Sequence, residues 1–350
     1  MGKTCLVTGG AGFIGCALSS RLVQLFDDVI AVDILHPQIH LRKDRPADLY
    51  DGVKLTVADV CVPQTWDELL PKIENIDTIV DLAAETGTAQ SLSDASRHAV
   101  TNVVGTTQLL DGCVRNRKMP RQIFLASSRA IYGEGAWKRN DGSIFYPGQR
   151  ADEQLLRGEW DFPNAKHMPF SAKETKPSPT SIYGATKLAQ ENILSAWTKS
   201  YGVQLKTVRL QNVYGPGQSL INSYTGIVSY FVRLAKEGKP IPLYEDGNII
   251  RDFVFIDDVV RGILMALCSD NADGKIYDIG TGKETTLAEV ADIIAKRYGA
   301  PSPQIRGQYR NGDVRHASCD LTNTMDELGF FPEYTIEQGI EKLCRWIDAQ

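Results

Sequence analysis

Leu6-Val7-Thr8-Gly9-Gly10-Ala11-Gly12-Phe13-Ile14-Gly15 closes an apolar run that starts at Thr4 and opens a helix-like stretch. A strand, a glycine-rich turn and a helix in immediate succession are the start of a dinucleotide-binding βαβ unit. Gly9 permits a tight turn, Gly12 lets the backbone approach a pyrophosphate, and Gly15 lets helix and strand pack closely. Phe13 and Ile14 begin the helix, where N–H groups lacking intrahelical partners face phosphate oxygens. Asp33 ends the next apolar run, Val29–Val32. A carboxylate there accepts hydrogen bonds from an adenosine ribose and repels a 2′-phosphate, which favours NAD over NADP.

Outward from this start, short apolar runs alternate with amphipathic segments. The expected strands are 4–8, 29–32, 54–58, 78–82, 122–126 and 205–210, with a seventh at 276–279 returning to the same sheet. This rhythm predicts an α/β fold, a Rossmann-type doubly wound parallel sheet with helices on both faces. Asp59 and Val60 follow the third strand and could touch an adenine; Leu82, Ala83 and Ala84 follow the fourth and could line the cofactor's path. Past Gly215 the texture changes, and a smaller C-terminal lobe is expected, with a helix over 287–298 capped by Thr285 or Thr286. The domains read as 1–212, with an insertion at 134–179 and 250–280 returning to it, and a lobe of 213–249 plus 281–350. The insertion is polar, rich in Gly, Pro and aromatics, and poorly periodic, which suits a lid or a contact surface.

Composition narrows the function. The chain has 350 residues, 43% of them hydrophobic, and a formal net charge of −5. With no run of like charges, nothing resembles a nucleic-acid surface, so anionic ligands must be met locally by a few arginines and backbone N–H groups. The seven cysteines are scattered without zinc-ligand spacing, so no metal site is expected and the thiols read as reduced and structural. No long apolar stretch predicts a membrane span, and a soluble, cytoplasmic protein is expected.

Tyr183-Gly-Ala-Thr-Lys187 opens a strongly helical segment, so both side chains share one helix face. A neighbouring ammonium favours the phenolate, and Tyr183 could act as general base toward a sugar hydroxyl. Ser128 ends the fifth strand, at the carboxyl edge where doubly wound sheets bind ligands, and could share the proton being moved.

Together T-G-G-A-G-F-I-G, Asp33, L-A-A, S-S-R-A-I-Y-G, Y-G-A-T-K, L-Q-N-V-Y-G-P-G and R-D-F-V-F-I-D-D resemble the extended short-chain dehydrogenase/reductases that act on nucleotide sugars. The resemblance runs from Lys3 to about His316. It implies a bound NAD, a homodimer formed partly through the Tyr183 helix, and a nucleoside diphosphate-sugar across the lobe junction. It further implies that Asn102 lies beneath the active site on the cofactor side, that Asn212 contacts sugar or phosphates, and that Arg251 and Arg315 hold the diphosphate.

The 4,6-dehydratases of that family carry an Asp-Glu pair after their catalytic Ser or Thr, where this chain has Arg129 and Ala130. Loss of water then lacks its proton carriers, and related decarboxylases also have a Glu in this stretch. A 4-epimerase asks least of the protein: hydride leaves carbon four, the 4-ketosugar turns over, and the hydride returns to its other face. Within the epimerases, S-S-R-A-I-Y-G-E-G, L-A-A-E-T-G-T-A-Q-S and 218–226 look most like the dTDP-L-rhamnose 4-epimerase group, which interconverts dTDP-L-rhamnose and dTDP-6-deoxy-L-talose. Alternatives are a UDP-hexose or UDP-uronic acid 4-epimerase, a 4-ketoreductase or dehydratase, and a non-catalytic NAD sensor. Arg129 could read a substrate carboxylate, or could pack along the cofactor or pair with an acid.

Overall fold

The computed structural model describes residues 2–220 and 226–350; of the 218–226 stretch quoted above, 221–225 lie outside the described residues. Seven strands form one all-parallel sheet: β1 (Thr4–Thr8), β2 (Asp28–Asp33), β3 (Val53–Val57), β4 (Ile76–Asp81), β5 (Gln122–Ser128), β6 (Gln204–Leu210) and β7 (Ile276–Ile279). Their spatial order is β7-β6-β5-β4-β1-β2-β3. Parallel strands are covered on both faces, which is why β1 and β4 are buried at every position. Alternation within β1 divides the core: Cys5 and Val7 pack with Leu18, Leu22, Val259 and Ile263 on one face, while Leu6 joins Trp66, Leu109, Leu110 and Leu194 on the other. Each such side chain, fully buried, contributes roughly 1.5–3 kcal/mol of hydrophobic stabilisation.

The chain reverses direction across the sheet at β1. From β1 it builds outward through β2 and β3, then crosses back to β4 on the other side of β1. Helices leave to opposite faces there, opening a crevice at the strands' carboxyl ends. Helices α1 (Phe13–Leu25), α2 (Gly105–Arg115) and α3 (Ile182–Tyr201) frame that crevice. Residues Val100–Val104 form a π-helical turn leading into α2, a local widening often found at functional sites.

The lobe is built by α4 (Ile227–Lys236), α6 (Leu287–Tyr298) and α7 (Ile336–Asp348), with α5 (Ile256–Cys268) returning against α1. Phe231, Val232, Val290, Ile294, Ile340 and Leu343 form its core. Of the two candidate caps for α6, Thr286 serves: its Oγ1 accepts Glu289 N–H at 3.1 Å and Glu289 Oε2 accepts Thr286 N–H at 2.7 Å. The 134–179 stretch holds a three-stranded sheet of 137–139, 144–145 and 165–167 and a short helix, Asp152–Leu156. Buried Trp137 and ion pairs, rather than a periodic apolar face, hold it against the lobe. Among the described residues no helix is long and apolar enough to cross a membrane.

Candidate active site

A cavity of about 760 Å³ opens at the carboxyl ends of the strands. Its wall brings together Gly9, Gly12, Phe13, Ile14, Gly15, Asp33, Asp59, Val60, Leu82, Ala83 and Ala84 on one side, and Ser128, Arg129, Tyr183, Lys187, Asn212 and Arg251 on the other. Gly9 has φ of +63°, and a Cβ there would lie 2.8 Å from Ala83 N. A Cβ on Gly15 would lie 2.5 Å from the Gly10 carbonyl oxygen, so only glycine lets α1 seat on the turn. Gly12 begins α1 with no side-chain cap, which leaves the first-turn N–H groups open to a phosphate. Asp33 ties this turn to β2, its Oδ2 accepting Ala11 N–H at 3.1 Å and its Oδ1 accepting Leu35 N–H at 2.9 Å. Both oxygens keep a further lone pair for a ribose. An uncapped helix start beside a strand-end carboxylate is a donor and acceptor set that fits a dinucleotide.

Ser128 is the last residue of β5. The capping Ser181 Oγ accepts Gly184 N–H at 3.1 Å and starts α3, placing Tyr183 in its first turn. A Cβ on Gly184 would come within 2.3 Å of the Ala130 carbonyl, so glycine lets the helix lie on the turn that follows Ser128. The two hydroxyls thereby share the cavity wall, Ser128 close enough to act on the phenol. Burial pushes the Tyr183 phenol above its usual range, and the Ser128 hydroxyl and the Arg129 charge pull it back. Lys187, one turn on, is buried; desolvation brings its ammonium down to about 8, with Asp81 and Glu191 opposing. Its Nζ donates to Gln190 Oε1 in place of the expected approach to the phenol.

Residues 5–280 match the NAD dependent epimerase/dehydratase family. The chain belongs to that family. NAD is its cofactor, and the chain is an enzyme of the nucleotide-sugar epimerases. It is 54% identical over 346 residues to a dTDP-L-rhamnose 4-epimerase of Burkholderia thailandensis, covering 99% of this chain and 95% of the relative. Among solved structures it is similar to a UDP-glucose 4-epimerase of Thermotoga maritima described with UDP-glucose (27% identity, TM-score 0.81, 99% of each chain). A UDP-glucose 4-epimerase of Thermus thermophilus in complex with NAD is also similar (26% identity, TM-score 0.76, 99% of each chain).

For this family member, two of the sequence-derived site residues lie off the cavity wall. Arg315 was expected on the diphosphate, but its guanidinium is taken: Nη1 bonds Glu245 and Asp246 at 2.9 and 2.7 Å, Nη2 bonds Asp246 at 2.9 Å, and Nε bonds Asp161 at 3.3 Å. It is a structural arginine joining the insertion to the lobe. Asn102 was expected to touch the cofactor. It is fully buried, its Oδ1 accepting Glu85 N–H at 2.8 Å and its Nδ2 donating to Thr186 at 2.9 Å. It braces the cavity wall from behind. Arg251 keeps its place on the wall, Nη2 donating to Asp313 Oδ1 at 3.3 Å. Asp313, which also lines the cavity, escaped the sequence reading because the arginine that explains it is far away along the chain.

Arg129 donates Nε to Asn212 Oδ1 at 2.7 Å. Desolvation, then the like charge of Arg251, brings its guanidinium down to about 9, while Asp313 and Tyr183 act the other way. Two arginines that repel one another on a cavity wall form a site prepared for an anion.

Proposed function

We propose that the chain is an NAD-dependent 4-epimerase of a nucleoside diphosphate-sugar, interconverting dTDP-L-rhamnose and dTDP-6-deoxy-L-talose. The observation that carries the reaction is the placing of Ser128 and Tyr183 together on the cavity wall, beside a turn whose next residues, Arg129 and Ala130, offer no carboxyl for eliminating water. The substrate follows the 54% identical relative.

NAD, held by the Gly9–Gly15 turn and Asp33, would supply reversible hydride transfer at the sugar carbon. Ser128 bonds the carbon-four hydroxyl and passes its proton to Tyr183, acting as general base. Arg129 supplies the positive charge that favours the phenolate, and Lys187, one turn along α3, adds a second cation to the same wall. On return, Tyr183 gives the proton back to the inverted oxygen, so the residues end as they began. Arg251 and Asn212 bind the nucleotide-sugar, the guanidinium holding the diphosphate. Gly9 to Gly15 cradle the cofactor pyrophosphate, Asp33 the adenosine ribose, and Asp59 with Val60 the adenine side.

The same reading has the enzyme work as a homodimer in the cytoplasm. Val100 and Val104, 46% and 39% exposed, form an apolar patch on the π-helical segment packed beside α3, and all seven cysteines are free, as suits a reducing compartment. Light scattering on the parent and on Val104→Glu tests the dimer.

Incubating the protein with dTDP-L-rhamnose, UDP-hexoses and UDP-uronic acids, followed by proton NMR, tests the reaction. A carbon-four epimer of dTDP-L-rhamnose formed without added cofactor supports the reading. Turnover of UDP-uronic acids alone would move the substrate to the carboxylate class that the Arg129–Arg251 pair also suits. Product formed only in step with oxidation of reduced cofactor would make the enzyme a ketoreductase.

A further inference from the structure

Behind the cavity wall lies a buried carboxylate that no step above uses. Asp81 ends β4 and is 3% exposed. Its Oδ1 accepts Thr8 Oγ1 at 2.5 Å, and Thr8 Oγ1 in turn accepts the N–H groups of Leu82 and Ala83 at 3.2 Å. On its other side, Asp81 Oδ2 lies 3.3 Å from Thr106 Oγ1, whose one hydrogen has the Asn102 carbonyl at 3.0 Å as its other acceptor. Thr106 Oγ1 accepts Gln190 Nε2 at 2.7 Å, and Gln190 Oε1 accepts Lys187 Nζ at 2.5 Å. Thr8, Thr106, Gln190 and Lys187 are all buried.

An ammonium in such a place needs a countercharge or it gives up its proton. Two carboxylates face Lys187: Asp81 from β4 and Glu191 from its own helix, with the Tyr183 phenol one turn earlier on α3. Glu191 is engaged by Arg209, whose Nε and Nη2 bond its two oxygens at 3.0 and 2.8 Å. Asp81 is faced by hydroxyls, Thr8 from β1 and Thr106 from α2, and by one cation, Lys187. Burial raises its carboxyl, and among the described residues Lys187 is the one cation acting to keep it ionised.

We propose that Asp81 is a positioning residue for catalysis, supplying through the Gln190–Thr106 bridge the countercharge that keeps Lys187 protonated and fixed at the cavity wall. This deepens the reading of Tyr183, Ser128 and Lys187 as the catalytic set and rests on it. The carboxylate stands behind the wall, so it stays in place when substrate and cofactor have expelled water and the lysine is most in need of a partner.

The test is Asp81→Asn, which keeps the shape and an acceptor for Thr8 but removes the charge. Lysine charge is present below its pKa and lost above it. In the parent, kcat on saturating substrate falls on the alkaline side as Lys187 loses its proton near about 8. In Asp81→Asn that limb moves to lower pH by about one unit, with activity near that pH down roughly five- to ten-fold, while KM and bound NAD stay as in the parent. Gln190→Met, which cuts the bridge and keeps the volume, moves the limb the same way by less. An unshifted limb in Asp81→Asn, even with lower kcat throughout, overturns the proposal; should that variant not fold, the limb of Gln190→Met decides. Titration of the Lys187 ε-carbon by NMR, assigned by its absence in Lys187→Met, reads the same shift without turnover. A parent without epimerase activity but with the shifted titration would sink the catalytic reading and leave the countercharge standing; an unshifted titration sinks the countercharge.

Discussion

Arg129 and Asn212 meet across the mouth of the sheet, Nε to Oδ1 at 2.7 Å, joining the turn after β5 to the strand that follows β6. The bond spends one N–H of the guanidinium and fixes its plane, leaving the fork beside Tyr183 and Arg251. Arg129 is one of the two influences that pull the Tyr183 phenol back down against desolvation. Arg129→Met should therefore move the acid limb of the kcat profile upward and lower kcat/KM roughly 10²-fold. Arg129→Lys should recover only part of this, because an ammonium cannot reproduce the Nε bond. A higher KM with an unmoved limb would make Arg129 a substrate contact alone.

The glycines of the first turn separate folding from cofactor binding. In Gly15→Ala the new methyl would stand 2.5 Å from the Gly10 carbonyl oxygen and 2.6 Å from its carbon. These are backbone atoms, so α1 must move, at a cost of about 1–3 kcal/mol. In Gly12→Ala the nearest atom is the Gly9 carbonyl oxygen at 3.2 Å, and the backbone there is extended. That variant should melt within a few degrees of the parent yet bind NAD at least ~10-fold more weakly, since its methyl projects where a pyrophosphate must approach. Melting curves with and without NAD distinguish the two.

These contrasts show why some of the site was legible in the sequence and some was not. Tyr183, Lys187 and the glycines each carry a local signature, a helix spacing or a turn between strand and helix, and local signatures survive in one dimension. Asp81 sits inside the apolar run Thr78–Leu82, and Thr106 and Gln190 read as ordinary polar residues on helix faces. What makes them a chain is that β4, α2 and α3 pack together, which no spacing reports. The 134–179 stretch hid its small sheet for a related reason: Trp137 and the ion pairs of Arg150 with Glu245 and of Asp161 with Arg315 take the place of a periodic apolar face. Arg315 was misread because its charge is visible in sequence while Glu245 and Asp246, its partners, are distant.

Arg251 and Arg315 should accordingly behave in opposite ways. Arg315→Met strips a cation from Glu245, which is 1% exposed at its side chain and would keep only Arg150 at 2.8 Å. Breaking such a buried pair costs about 3–5 kcal/mol, so this variant should melt far below the parent while its folded fraction keeps the parent KM. Arg251→Met should fold and raise KM for the nucleotide sugar, with kcat/KM lower by roughly 10- to 100-fold, the worth of one charge-assisted contact. A raised KM in folded Arg315→Met would return that residue to the substrate.

Stability should fall with acid through the junction of insertion and lobe. His167 and His316 stack with centroids 4.1 Å apart and planes 8° from parallel, with Trp137 edgewise to both. His316 Nε2 lies 2.6 Å from Asp161 Oδ1, and His167 Nδ1 lies 3.6 Å from Glu284 Oε1. Burial, then the facing His316, holds His167 below its ordinary range. Below about pH 6.5 the unfolded chain protonates this histidine before the folded one does. The folded state then binds fewer protons, so the stability contributed by neutral His167 is complete above that pH and is lost as pH falls toward the folded value. Asp161, held low first by its bond to His316, adds a loss of the same sign at lower pH, below about 3.9 and through its folded value. Glu134 and Asp278 act oppositely, because burial raises both carboxyls to about 7 and their folded forms gain protons as pH falls. The parent's melting temperature alone would mix these contributions. His167→Gln removes only the histidine, leaving both carboxyls in place, so the difference between variant and parent isolates it. The variant should lose less melting temperature than the parent between about pH 7 and pH 5.5, and parallel curves over that interval would rule out the stacked pair as an acid-sensitive joint.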